Sequence, residues 1–116
     1  PNQASLADVE SYETQIVKAL QKKQIRVYLV TVRPYFLDAA WQASQGALSD
    51  PVKQMKIVTE SLDDFEVAQR PVVSGVLDIR AHPELLRADI YDVNRLHFAL
   101  WGQPLIAGAI ASMMLQ

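Results

Sequence analysis

The stretch from Phe98 to Leu115 constrains the fold more than any other part of the sequence. It reads FALWGQPLIAGAIASMML, and only Gln103 and Ser112 in it are polar. A helix that is apolar on every side must be enclosed by other apolar material. A lipid bilayer, the interior of the same domain, or a second copy of the chain would each enclose it.

A membrane span is the least favoured of these three surroundings, because the stretch is broken at Gly102-Gln103-Pro104. Proline is common at the first position of a helix, so the break leaves a helix from Leu105 to Gln116 of roughly 18 Å. The hydrocarbon core of a bilayer is about 30 Å thick. We therefore expect this helix to lie in a core or an oligomer interface, and we do not expect a membrane partner.

Small residues favour contact between this helix and a second copy. Ala107 and Ala111 are four residues apart, as are Gly108 and Ser112, and such spacing permits close approach of two helix backbones. The partner expected from this pattern is a second copy, most simply in a homodimer, with another protein as a further partner. The expected interface residues are Trp101, Ile106, Ala107, Gly108, Ile110, Ala111, Met113 and Met114.

Length, charge and cysteine content narrow the classes of function. The chain has 116 residues, which is enough for a single domain over 1–116 and too few for two. Its formal net charge is -2, whereas a nucleic-acid-binding domain needs a basic face, so no nucleic-acid partner is expected. The lack of cysteine excludes disulfides, thiolate metal sites and thiol nucleophiles. We expect no cofactor and no metal.

The first residues carry no signal-peptide pattern, and Pro1 commonly becomes the first residue once the initiator methionine is removed. These features favour an intact cytoplasmic chain. A free Pro1 amine can act as a general base, but here it leads into a helix cap and not into an enclosed site, so this role is not expected.

Hydrophobic periodicity predicts alternating helices and strands. Ser5 and Asp8 have the spacing of a capping box, which predicts the start of a helix. Apolar residues then recur at three- and four-residue intervals, with Glu13 among them, and predict that this first helix continues to about Lys23. Residues 24–33 are rich in β-branched and aromatic side chains and apolar on both faces, which predicts a central strand packed next to that helix. Another helix is predicted over residues 35 to 47.

Residues 52–69 fit two interpretations. One is a continuous helix that begins at Pro51 with a capping aspartate before it. The other is a short strand over 55–60, followed by a capping box and a two-turn helix to Gln69. The second is preferred because it gives the sheet a third strand, and a sheet of two strands is marginal in water.

The last third of the chain predicts one more strand over 72–80 and a long helix over 83–101. His97 falls on the apolar face of that helix and is expected to be a hydrogen-bonded histidine at the rim of the core. The acidic stretch from Glu60 to Glu66 is expected to be a solvated helix face.

These elements together predict an α/β fold with a short, mostly parallel sheet of about three strands, an N-terminal helix and two C-terminal helices. If residues 56–80 were instead strands joined by tight turns, the class would be α+β.

Charged residues at the predicted strand ends form the one candidate site for chemistry, because ligands of open α/β sheets bind beyond the carboxyl ends of the strands. Arg33, Asp78, Arg80 and His82 could hold a small anion there or perform acid–base chemistry. Charges at strand ends are also simply where solvent begins, and no glycine-rich loop accompanies them.

The leading functional hypothesis is a small non-enzymatic module for protein interaction or self-assembly through the apolar C-terminal helices. The alternative is a small enzyme or small-ligand binder that uses the strand ends. A deep pocket enclosing those four residues would favour the alternative, and a flat apolar face over 98–115 would favour the module.

Overall fold

The structure is a computed structural model, and it describes residues 5–31, 50–87, 90 and 98–116. In these residues the elements are helix α1 (Leu6–Lys22), strand β1 (Tyr28–Val30), helix α2 (Asp50–Val67), strand β2 (Gly75–Leu77) and helix α3 (Gln103–Met114). Short 3₁₀ turns span Ile79–Ala81, Pro83–Leu85 and Leu100–Gly102. The described part is therefore a helix-rich mixed fold with three α-helices and a two-stranded sheet.

Helix α1 begins at the predicted capping box. Ser5 Oγ accepts a hydrogen bond from the Asp8 backbone N–H at 3.1 Å, and the Asp8 carboxylate accepts one from the Ser5 N–H at 3.3 Å. Two backbone donors that no helical carbonyl can reach are thereby satisfied. This confirms the predicted start of the first helix.

A left-handed residue, Gln24, ends the turn that follows α1. Its φ is 63°. The next backbone N–H, that of Ile25, donates to the Leu20 carbonyl at 3.1 Å, while the Gln24 N–H donates to the Gln21 carbonyl at 2.9 Å. These two bonds form a Schellman motif, which normally has glycine at the left-handed position.

Strands β1 and β2 pair in parallel, with Tyr28 opposite Gly75 and Val30 opposite Leu77. They form the two-stranded sheet of the described residues. The parallel direction agrees with the predicted sheet, but the described residues form two strands and not three.

One face of β1 carries the first of two apolar clusters. Val27 and Leu29 pack there with Val17 of α1, which confirms that the first helix and first strand are neighbours. On the other face, Val30 is 36% exposed. Strand β1 is therefore covered less completely than the predicted central strand.

Residues Asp50–Val67 form one continuous helix, so the predicted strand over 55–60 is wrong. Its β-branched residues favour a strand locally, but α2 packs against both α1 and β2, and Thr59 is buried. Tertiary packing of this kind overrides local propensity. On the solvent side, Lys56 and Glu60 form an i, i+4 ion pair at 3.6 Å.

The long helix predicted over 83–101 is not present at its expected start. Pro83–Leu85 is a single 3₁₀ turn with Leu86 as its C-cap. His97, most of the remaining predicted helix, Arg33 and the predicted helix over 35–47 lie outside the described residues.

The second apolar cluster consists of Ile79, Leu85 and Ile90, and both Leu85 and Ile90 are fully buried. Ile106 and Ala109 of α3 pack against this cluster. Helix α3 is thus attached to the domain along one side.

Helix α3 begins after Gly102, at the break predicted from Pro104. Gly102 is buried, and a Cβ atom added to it would lie 2.5 Å from the Ile90 carbonyl oxygen. Only glycine allows this close approach of the two backbones. Among the described residues, no helix is both long enough and apolar enough to cross a membrane.

Candidate functional site

Two of the four predicted site residues, Asp78 and Arg80, lie together just after β2. Arg80 Nε donates to Asp78 Oδ1 at 3.0 Å, and Nη2 lies 3.3 Å from Asp78 Oδ2. The Arg80 backbone N–H donates to the same Oδ1 at 3.1 Å. The aspartate is therefore held by both the side chain and the backbone of Arg80.

Thr31, at the end of β1, connects this pair to the neighbouring strand. Its buried hydroxyl oxygen accepts the Ile79 backbone N–H at 2.9 Å and lies 3.4 Å from Asp78 Oδ1. The carboxyl ends of the two parallel strands thus meet, as the sequence predicts for such a sheet.

Helix α2 adds two carboxylates, Asp63 and Asp64, which were predicted to lie on a solvated face. Arg80 Nη1 donates to Asp64 Oδ1 at 2.8 Å. Asp63 is 0% exposed, and its Oδ2 lies 4.0 Å from Arg80 Nε. The strand-end cluster therefore comprises Thr31, Asp63, Asp64, Asp78 and Arg80, and the prediction of a fully solvated acidic face is wrong at Asp63.

The electrostatics of the strand-end cluster are governed by Arg80. Burial acts to raise the pKa of Asp78, but hydrogen bonds from the Arg80 side chain and backbone outweigh burial and lower that pKa. Hydrogen bonds to Asp78 and Asp64 raise the pKa of Arg80, so the guanidinium stays charged. The donors of Arg80 are used to join β2 to α2, which leaves it little capacity for an external anion.

His82 pairs with a different carboxylate. Its Nδ1 lies 3.1 Å from Glu84 Oε1. Both residues line a cleft of about 560 Å³ between β2 and α3, together with Arg70 and Met113. Of the three predicted site residues that the structure describes, Asp78 and Arg80 contact each other, whereas the His82 ring contacts Glu84. Arg33 lies outside the described residues. Among the described residues, no group of three or more histidine or acidic side chains could hold a metal ion.

Helix α3 has no buried residue along its 12 positions. Of the predicted interface residues, three are half-buried, namely Ile106, Ile110 and Met113. The exposed residues of this region form what we call the α3 face: Trp101, Leu105, Ala107, Gly108, Ala111 and Met114. Trp101 is 52% exposed and Met114 is 49% exposed, which are large fractions for such side chains.

Gly108 lies in the middle of the α3 face, and the fold of this chain does not require a glycine there. A Cβ added to Gly108 would meet nothing within 4 Å. A glycine inside a helix costs about 1 kcal/mol relative to alanine. A glycine at such an open position would allow the backbone of another helix to approach closely.

A groove of about 440 Å³ lies between α1 and α2, and we call it the α1–α2 groove. Among the residues that the structure describes, the acidic side chains in its lining are those of Glu13 and Glu66. The rest of its lining is apolar or aromatic and consists of Val9, Tyr12, Ile16, Val17, Val27, Leu29 and Leu62. The only sequence signal for this groove is Glu13, a carboxylate inside the apolar stripe of α1.

Both carboxyl groups of the groove have raised pKa values. Burial, together with the nearby charges of Glu13 and Asp63, raises the pKa of Glu66 to about 7. Burial also raises the pKa of Glu13, with a contribution from Glu10. Glu66 is only 6% exposed, so the expectation of a solvated acidic face is wrong at this position as well.

The chain matches no protein-family model, no curated protein and no solved structure.

Proposed function

We propose that this chain is a small interaction module that self-assembles into a homodimer through the α3 face. The observation that carries the proposal is that α3 is built from uncharged, mostly apolar residues and yet buries none of them. A helix with this composition is normally enclosed. A partner that covers the α3 face would supply the missing enclosure.

A second copy of the chain suits this face better than a charged partner. The α3 face has no charged residue, so two copies can meet there without desolvating or opposing charges. Contact about a twofold axis would place the same small residues, Ala107, Gly108 and Ala111, on both sides and allow close backbone approach. Trp101 and Met114 would then fill the ends of the contact, where methionine adapts to an imperfect fit.

The alternative function, a small enzyme or ligand binder at the strand ends, has less support. Arg80 is engaged by Asp78 and Asp64, and its geometry is that of a structural tie between β2 and α2. The His82 ring pairs with Glu84 instead. We therefore propose a non-enzymatic role.

Light scattering coupled to size-exclusion chromatography tests the dimer directly. We expect the wild-type chain to be dimeric at micromolar concentration and Ala111→Lys to be monomeric, because the lysine places two charges against each other across the twofold contact. Ala19→Lys is the matched control, since Ala19 is also an exposed helical alanine but lies on α1. It should leave the dimer intact.

A monodisperse wild-type monomer would contradict the proposal. So would equal dimerisation of Ala111→Lys and Ala19→Lys, because the contact would then lie elsewhere. Gly108→Leu provides a second, uncharged probe that has room within its own chain, and it should weaken the dimer by crowding while circular dichroism stays unchanged.

A further inference from the structure

We propose that the α1–α2 groove is a binding site for a small lipophilic amine, with the ammonium group held between the carboxylates of Glu66 and Glu13. The apolar body of the ligand would lie along the groove. This site is separate from the α3 face, so it does not depend on the proposed dimer.

Glu66 is the observation that points to a ligand. It is more than nine-tenths buried and lines the groove. Among the described residues, no side-chain hydrogen bond or ion pair reaches its carboxyl group. Buried polar side chains in folded proteins nearly always have a partner. A donor that enters the groove would provide the partner that Glu66 lacks within the chain.

The charges around Glu66 select a cation. Glu13 faces it from α1, and Asp63 lies one turn before it on α2; both act electrostatically on Glu66. In the part of the chain that the structure describes, no lysine or arginine lines the groove. An ammonium group between two carboxylates would form charge-assisted hydrogen bonds with both, whereas an anionic ligand would be repelled.

The shape and lining of the groove select the rest of the ligand. Its volume of about 440 Å³ falls within the range of pockets for small molecules. Ile16 and Tyr12 at its wall are 60% and 57% exposed, so the groove is open to a ligand from solvent. Tyr12 also presents an aromatic ring, whose face attracts a cation. An amine attached to an apolar chain satisfies both the acidic and the apolar parts of the lining.

Three probes of equal length test the chemistry: n-octylammonium, n-octanol and n-octanoate. At about pH 8 the amine is protonated and most carboxyls are ionised. Titrations followed by two-dimensional NMR should show octylammonium shifting the signals of α1 and α2 residues that line the groove. We expect octanol to bind at least about tenfold more weakly, because it lacks the charge-assisted bonds, and octanoate not to bind.

Glu66→Gln keeps the size of the side chain and removes its charge, so it should weaken octylammonium binding by about tenfold or more. Glu60→Gln is the matched control, because Glu60 lies on the same helix but is exposed and paired with Lys56. Ile16→Lys is a second variant at an exposed position, and its ammonium-bearing chain should compete for the groove and block binding.

The proposal is overturned if octanol binds as tightly as octylammonium, or if Glu66→Gln and Glu60→Gln bind it equally. Either result would mean that the groove recognises apolar surface alone. Shifts confined to α3, or the absence of saturable binding below the micelle-forming concentration, would overturn it as well.

Discussion

The Arg80 guanidinium holds the Asp78 carboxylate in a forked arrangement, with Nε 3.0 Å from Oδ1 and Nη2 3.3 Å from Oδ2. Two parallel hydrogen bonds of this kind fix the orientation of both groups. The same guanidinium reaches Asp64 through Nη1, so one side chain joins the end of the sheet to α2.

Arg80→Ala should lower the free energy of unfolding by roughly 2 to 4 kcal/mol, because it leaves the buried Asp63 without this nearby cation and removes the tie to α2. Arg80→Lys should recover only part of the loss, since an ammonium group cannot form the fork. Urea unfolding measures both changes. Arg70→Ala, at an exposed arginine, is the control. Equal effects at the two positions would contradict a stabilising interaction of Arg80 with Asp78 and α2.

The contribution of the Asp78–Arg80 ion pair to stability should decrease in acid. The pKa of Asp78 is lowered from 3.8 in the folded chain, so its contribution is present above 3.8 and is lost as the pH falls through the folded value. The difference between wild type and Arg80→Ala should therefore shrink in acid. Unfolding curves from neutral pH to below about pH 4 would show this, and a constant difference would contradict it.

Glu66→Gln should stabilise the chain above neutral pH and have little effect in acid. The pKa of Glu66 is raised from 4.5 to about 7, so the folded state holds this proton more tightly than the unfolded state. The corresponding stability is complete below 4.5 and is lost as the pH rises through about 7. We expect the variant to gain roughly 2 to 3 kcal/mol over wild type at about pH 8. Denaturant melts at acidic and alkaline pH measure the gain, and Glu60→Gln should show none.

Gln24→Gly should stabilise the chain by about 0.5 to 1 kcal/mol, because glycine adopts the left-handed conformation without the Cβ clash. Gln15→Gly, inside α1, should instead cost about 1 kcal/mol. Thermal unfolding of the two variants should therefore shift in opposite directions. A destabilised Gln24→Gly would show that the Gln24 side chain contributes to the turn.

Gly102→Ala and Gly108→Ala should also have opposite effects. The added methyl at Gly102 meets the Ile90 backbone at 2.5 Å and should cost about 1 to 3 kcal/mol. The methyl at Gly108 enters open space and should gain up to about 1 kcal/mol through helix propensity. Both are best measured by urea unfolding of dilute protein, where dimer contacts contribute least. Equal effects would mean that Gly102 can move away from Ile90.

The parts of the fold that follow from local chemistry were predictable. Ser5 and Asp8 are three residues apart, so the helix start can be read from the sequence without knowing what α1 packs against. The break at Gly102 is equally local, because Pro104 cannot continue a preceding helix. In both cases the interacting groups are neighbours in the chain.

The wrong predictions concern positions whose structure is set by packing between residues that are far apart in the sequence. Thr59 lies in a β-branched stretch, yet it is part of a helix because α2 must cover α1 and β2. Glu66 is sequentially part of an acidic stretch, and only the approach of α1 makes it a buried carboxyl. Likewise, Arg80 and Asp64 are 16 residues apart, so no local pattern could reveal their ion pair.

The parallel pairing of β1 with β2 also bears on the order of events in folding. Tyr28 pairs with Gly75, so the sheet closes a loop of more than forty residues before its first hydrogen bonds form. Non-local pairing of this kind slows folding, because the entropy of loop closure is lost before the contacts are gained. During synthesis, α1 can form early from its local cap, but β1 must wait for Gly75–Leu77 to leave the ribosome before it has its strand partner.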